Sequence, residues 1–407
     1  MMSEPMTAVS PLVDSDRKLS IFFILTQPCN PQTGGVQMST HKMGTYFHSR
    51  GHAVHVYSFS KDRHAVMGYG KLFHPRSRSG VCAENLQHLS EKLDAVRPDI
   101  VVHQTPYEFS VSELLSEKKR TLRFVSFACL RNSLFSVKLN IDDYRRTLIP
   151  ANMAPLTRNP LGNWVLQTVH KNRHAQHLRK ILETHDRFVL FGPPNLDEFR
   201  YFIPNGYGDQ LAFVPNSIPS VHSRVPPKKK VLLYVGRLAV KQKQAELLLP
   251  LWKKVRSQMR EWEFWVVGDG PFRQPMEEFV SREGWCDVKF FGRCDPYPFY
   301  DESAMTLMTS SFEGFPNVVI EAQSRASVPV LFNSFPLASW VVNHKKDGIL
   351  VADRNLDGMA SEIMTLASDD QSRLAMQEKA LENARRFEIN TVGQMWVELF
   401  RECLGSQ

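Results

Sequence analysis

At 407 residues the chain exceeds what one hydrophobic core usually supports, so two domains are expected. A 43% hydrophobic content is globular; no run approaches the ~18 apolar residues of a membrane span, and the first apolar run, Ile21 to Leu25, is too short for a secretory core, which argues for a cytoplasmic protein. The net charge of +8 favours an anionic partner but does not by itself separate nucleic acid, phospholipid and phosphorylated small molecules.

Residues 1–18 are polar and aperiodic and are expected to form a mobile leader. LSIFFILTQP then signals a buried strand, followed by a loop holding Gly34 and Gly35 and a helix from about Val36 to Arg50 that stops at Gly51. HAVHVYSF, RPDIVVHQTPYEF and TLRFVSFACLRNS repeat the theme of a short strand and a polar loop, which makes 19–214 a first α/β domain of parallel βαβ units. PNSIPSVHSRVPPKKK, with four prolines and no apolar period, reads as a linker over 215–230. A second series, VLLYVG, EFWVVGDGP, VKFFGR, AMTLMTSS, VPVLFN and DGILVAD, alternates with helices expected through Glu246 to Met259 and Glu277 to Arg282. It predicts a second doubly wound domain over 231–386. Residues 387–407 form a terminal helix with Trp396, Leu399 and Phe400 on its apolar side. The six cysteines show no CxxC pair, so free thiols are expected and no metal site.

Two such domains enclose a cleft, and ligands of open parallel sheets bind where strands end. After VLLYV come Gly236 and Arg237, then Lys241 and Lys243 before the next helix. A guanidinium fork and an ammonium beside a glycine suit a diphosphate, although a solvated basic loop has the same composition. Gly34-Gly35 before a helix could meet a phosphate with backbone amides, or be a plain turn. In SSFEGFPNVVIEA, Glu313 falls in the loop after a strand and Glu321 on the first turns of the following helix, where Pro316 sets the start. Paired carboxylates suit glycosidase chemistry or the binding of sugar-nucleotide hydroxyls, and the basic loop favours the second.

GRLAVKQK, VVGDGP and EGFPNVVIEA, in that order, resemble the retaining glycosyltransferases of family 4, which have the GT-B fold; VPNSIP resembles their interdomain junction. The resemblance implies two Rossmann-like domains facing a central cleft and a C-terminal helix crossing back to the first. It assigns Arg237 and Lys243 to the donor diphosphate and Glu313 to the donor sugar. Backbone around Gly236, Gly314, Phe315, Pro316 and Asn317 would meet sugar and phosphate, Glu321 the ribose, and the Gly34-Gly35 loop would close over the diphosphate. Transfer with retention and without metal or other cofactor is implied, from a nucleotide-diphosphate sugar, a UDP-sugar foremost, to a glycan or lipid-linked acceptor in bacterial surface polysaccharide or lipopolysaccharide assembly. No nucleic-acid partner is expected. The alternatives are a nucleotide-sugar epimerase of similar fold and a non-catalytic sugar-nucleotide-binding protein.

The chain departs from that pattern in two places near the cleft, and Ser327 stands where a helix-ending glycine is usual, which bears on packing more than function. Gln242 stands where the family's lysine commonly falls, with lysines on both sides, and ACLRNS carries Arg131 where many members have a histidine. Arg131 or the strand-end His103 is therefore the candidate at the sugar or acceptor. Residues 131–187 hold ten Lys or Arg against four Asp or Glu, and VHKNRHAQHLRKIL sets Ala175, Leu178 and Leu182 on one helical stripe. An anionic membrane surface on the inner leaflet is thus a candidate partner, a solvated helix packed on its own domain the plainer one.

Overall fold

Strands buried on both faces need apolar residues at every position, and SIFFIL, AMTLM and VPVLF supply them. The structure, a computed structural model, describes residues 17–61, 68–139, 141–150 and 157–406. Most of the expected leader, residues 1–16, lies outside the described residues.

Seven parallel strands form the first sheet: β1 (Ser20–Leu25), β2 (Ala53–Ser58), β3 (Lys71–Phe73), β4 (Ile100–His103), β5 (Val125–Cys129), β6 (Arg187–Leu190) and β7 (Leu211–Phe213), in the order β3-β2-β1-β4-β5-β6-β7. Six more form the second: β8 (Lys229–Val235), β9 (Glu263–Val267), β10 (Val288–Gly292), β11 (Ser303–Met308), β12 (Val328–Phe332) and β13 (Ile349–Val351), in the order β10-β9-β8-β11-β12-β13. Both are doubly wound α/β sheets, and their order reverses between β1 and β4 and between β8 and β11, where a crevice opens at the carboxyl ends. This is the GT-B architecture.

The first helix, Gly35–Ser49, ends where expected because Gly51 takes a φ of 83°. Two expected helices differ. A 3-10 turn, Ala245–Leu247, precedes a short helix, Leu248–Val255, because Pro250 is tolerated only in a first turn. The next helix, Arg273–Arg282, starts four residues before Glu277.

The terminal helix, Ile389–Gly405, leaves the second sheet and lies on the first domain. Its Phe400 ring sits 5.6 Å from Phe47 and 5.1 Å from Phe127, with Trp396 edge-on to Phe127 at 6.1 Å. A side chain at Gly393 would begin 2.2 Å from the Tyr46 ring, so glycine there permits the close helix approach. The two segments that cross between domains also bind each other: Ile218 donates to Phe387 O and Ile389 to Ile218 O, both at 2.9 Å. An apolar cluster spans the domains as well, with Phe191 of the first 5.4 Å from Phe315 of the second.

Candidate functional site

Two neighbouring cavities, of about 360 and 320 Å³, lie between the carboxyl ends of the two sheets. Gly35, Asn216 and Asn317 line both. The larger takes Gly34, Lys42 and Glu321; the smaller takes Arg131, Lys243, Glu313, Gly314 and Phe315.

Lys243 reaches Glu313 because the loop after β8 is stitched to the loop after β11. Ser311 N donates to Gln242 O at 2.8 Å, the Thr309 hydroxyl to Lys243 O at 2.8 Å, and the Gln242 amide to Phe312 O at 3.2 Å. Held by its backbone, Lys243 donates to Glu313 Oε1 at 2.6 Å, both side chains being largely buried. Lys241 is exposed and lies outside the cavity; Gln242 lines it but its amide is spent on the loop, so Lys243 is the one lysine of the pair that enters.

Gly314 presses against the facing domain. A Cβ there would stand 2.8 Å from the Asn132 Cα and 3.1 Å from its carbonyl carbon, so only glycine lets the two loops meet. Pro316 is buried and opens the helix Asn317–Ser324. The Asn317 amide is taken up by Phe315 O at 2.9 Å, so it is the side chain of Asn317, not its N–H, that faces the cavity, accepting from Asn216 Nδ2 at 3.1 Å.

Glu321 stands in the middle of that eight-residue helix rather than on its first turns, so the helix-dipole reason for an acid there does not apply. It points inward: the hydroxyl of the fully buried Tyr300 donates to Oε2 at 3.3 Å, and Lys42 Nζ lies 3.9 Å from Oε1. Burial pushes the Glu321 carboxyl above its ordinary pKa, and the Lys42 charge opposes that rise. Burial likewise lowers Lys42, with Glu321 opposing.

Other expected residues stand elsewhere. Arg237 is exposed and lines neither cavity. Gly236, at φ 159°, serves the joint between β8 and β9: its N–H donates to Val267 O at 3.0 Å, and a Cβ on Gly268 would stand 1.9 Å from Gly236 O. His103 is wholly buried, with Nδ1 3.3 Å from Nε2 of the equally buried His185, and lines neither cavity. Burial holds its pKa well below the usual histidine value. It is a strand-end residue of the core.

Three site residues carry no local signal in the sequence. Lys42 lies two helical turns beyond Gly35 and also donates to Ser217 O at 3.0 Å. Asn216 joins the domains: its Oδ1 accepts from Ser39 at 3.1 Å while its Nδ2 serves Asn317. The buried Glu198 accepts from the Ser133 hydroxyl at 2.7 Å and Leu134 N at 3.0 Å, which fixes the loop that carries Arg131. Among the described residues no group of three or more His, Cys, Asp or Glu is arranged to hold a metal, all six cysteines are unpaired, and no helix is long and apolar enough to cross a membrane.

Comparisons with known proteins agree with this fold. The family model described as Glycosyl transferases group 1 matches residues 229–369. The chain is 28% identical over 180 residues to the lipopolysaccharide core biosynthesis glycosyltransferase LpsD of Rhizobium meliloti, covering 44% of this chain and 51% of that protein. It is 26% identical over 176 residues to a Campylobacter jejuni N-acetyl-D-galactosaminyltransferase named for a diphospho-undecaprenol-linked saccharide, covering 43% and 49%. The chain thus spans about half the length of these curated relatives. Among solved structures, Anabaena HepE in complex with UDP-glucose superposes with a TM-score of 0.67 at 16% identity, covering 95% of this chain and 100% of that one. The chain has the GT-B fold, and its second domain is similar to the group 1 glycosyl transferases.

Proposed function

We propose that the chain is a retaining glycosyltransferase of family 4 that moves a hexose or N-acetylhexosamine from a nucleotide-diphosphate sugar, a UDP-sugar foremost, to a hydroxyl of a glycan or glycolipid acceptor in bacterial surface polysaccharide or lipopolysaccharide assembly. The observation that carries this reading is the Lys243–Glu313 pair, held by stitched strand-end loops in a cavity that Gly35 and Val36 line from the other domain. The match to group 1 glycosyl transferases and the UDP-glucose complex of a fold neighbour support it.

In this reading Glu313 accepts from hydroxyls of the donor sugar and Glu321 from the ribose. The bond between the anomeric carbon and the diphosphate oxygen breaks, the acceptor oxygen bonds to the same face of that carbon, and the acceptor's proton passes to the departing phosphate oxygen. Lys243, and Arg237 swinging in from the surface, stabilise the growing negative charge in place of a divalent metal. The first domain reads the acceptor.

A lipid-linked acceptor brings a membrane with it. Leu139, Leu161, Trp164, Val165 and Val169 leave large apolar side chains exposed, Trp164 at 63%, on the helices Ser136–Leu139 and Pro160–Thr184. Exposed Arg158 and Arg173 flank them. The apolar surface lies N-terminal to the VHKNRHAQHLRKIL stripe, whose Ala175, Leu178 and Leu182 are buried in the domain. In our reading the exposed patch enters the interface of an anionic leaflet and the arginines meet its headgroups. Vesicles of phosphatidylglycerol should sediment the protein, and Trp164→Ala should release it; no binding to such vesicles at low salt would end the membrane reading.

A thermal-shift screen against UDP, GDP and ADP tests the donor reading, since a ligand of the folded state raises its melting temperature. UDP is expected to stabilise the chain, and a chain unmoved by all three would refute it. Release of an altered sugar nucleotide without acceptor would instead identify an epimerase.

A further inference from the structure

The smaller cavity holds three charged side chains, and two of them neutralise each other: Lys243 is paired to Glu313. The third, Arg131, has no carboxylate partner among the described residues. Its Nε donates to Gln104 Oε1 and its Nη1 stands 3.5 Å from Asn216 Oδ1. Its Nη2 is buried and makes no hydrogen bond. Beside it the wholly buried Gln104, its oxygen turned to Arg131, leaves Nε2 without an acceptor. Gln104 lines neither cavity and orients the guanidinium, whose charge is uncompensated and whose Nη2 lacks an acceptor, which leaves a site short of an anion.

Placement narrows the anion. Gln104 and Arg131 belong to the loops after β4 and β5, and Glu198 fixes the β5 loop from behind, so the guanidinium is held in position before any ligand arrives. Across the cavity stand Glu313 and Gly314, the end assigned above to the sugar. A carboxylate on a sugar ring offers two coplanar oxygens to a guanidinium fork.

We propose that Arg131, oriented by Gln104, forms a subsite for the carboxylate of a uronic acid. The inference rests on the glycosyltransferase reading and adds that one of the two sugars brought together in the cavity is acidic. The carboxylate can belong to the donor sugar or to the acceptor's terminal residue.

Calorimetric titration of the whole chain with UDP, UDP-glucose and UDP-glucuronate, and of the UDP complex with methyl glucuronide and methyl glucoside, distinguishes the two sources. A preference of about tenfold or more for the acidic member of either pair is expected, because hydrogen bonds to charged partners are the strong ones. In Arg131→Gln the ratio should collapse towards one, with partial recovery in Arg131→Lys. Gln104→Met, which removes only the amide, gives a second reading if Arg131→Gln fails to fold. No acidic preference in either pair overturns the subsite. So does a preference that survives in Arg131→Gln while UDP and UDP-glucuronate weaken by one common factor, which would give the guanidinium to the diphosphate. UDP binding with no uronate preference refutes the subsite and leaves the donor reading intact, whereas failure of every UDP ligand refutes that reading.

Discussion

Replacing Gly314 by alanine isolates the contact between the two domains at the site. The added methyl would stand 2.8 Å from the Asn132 Cα, 0.6 Å inside the 3.4 Å at which ordinary contact begins, and 3.1 Å from the Asn132 carbonyl carbon. Both obstacles are backbone, and Glu198 pins the residues that follow, so the loop has little room to give. Overpacking of this kind costs about 1–3 kcal/mol. The strain is relieved by opening the cleft, which also loosens the apolar cluster of Phe191 and Phe315 that joins the domains. The melting temperature of the unliganded chain should therefore fall as well. Affinity for UDP, which in our reading needs both domains, should fall roughly 5- to 150-fold by the same energies. Titration calorimetry beside a melt of the free protein measures the two. A Gly314→Ala protein that binds UDP with unchanged affinity would show that the contact plays no part in donor capture.

Glu313→Gln and Lys243→Ala should each lower transfer about 100-fold or more, the usual effect of removing a preorganised electrostatic contact; full turnover in both would remove the pair from the site. For Glu321, whose pKa burial raises, two pH effects run in opposite directions. The ionised carboxylate accepts from the ribose, so UDP affinity should fall as pH drops through the raised pKa. The folded chain holds that proton more tightly than the unfolded one. Between the ordinary 4.5 and the raised value, this residue's contribution to stability therefore decreases as pH rises. Glu321→Gln should abolish both limbs, read by calorimetry and by melts against pH; identical profiles for the two proteins would refute this. Trp396→Ala empties a site 2% exposed between the crossover helix and Phe127, and should lower stability by about 3–5 kcal/mol in urea titration; a loss below about 1 kcal/mol would mean that the helix is not held by this packing.

The architecture was legible because buried parallel strands announce themselves. SIFFIL and VPVLF have no polar alternation to mislead, and Gly51 marks a helix end by conformation alone. The cleft residues were legible only where they sit beside a strand end, as Glu313 and Lys243 do. What joins those two is backbone hydrogen bonding between residues nearly 70 positions apart, such as Ser311 to Gln242, and backbone groups leave no trace in residue identity. The same reasoning missed Lys42 and Asn216, which reach the site from a helix and a proline-rich crossing segment. It also offered His103, a strand-end residue like the others, because position in sequence does not say whether a strand end opens on the cleft or on a neighbouring histidine.

The two arginines show how burial reorders what adjacency suggests. Arg237, beside a glycine and two lysines, has the sequence of a phosphate loop, yet its side chain is exposed and outside both cavities. Arg131, singled out only as a replacement for a histidine, is buried inside one of them. A cation in solvent is screened by water and, beyond about 8 Å at physiological salt, by ions, while one enclosed by protein acts at a much lower effective dielectric. With Lys243 already neutralised by Glu313, Arg131 supplies the unbalanced charge that a ligand meets on entering the smaller cavity, and Arg237 contributes only if the ligand draws it inward. In our reading the selectivity of the cavity for charge therefore follows from residue 131.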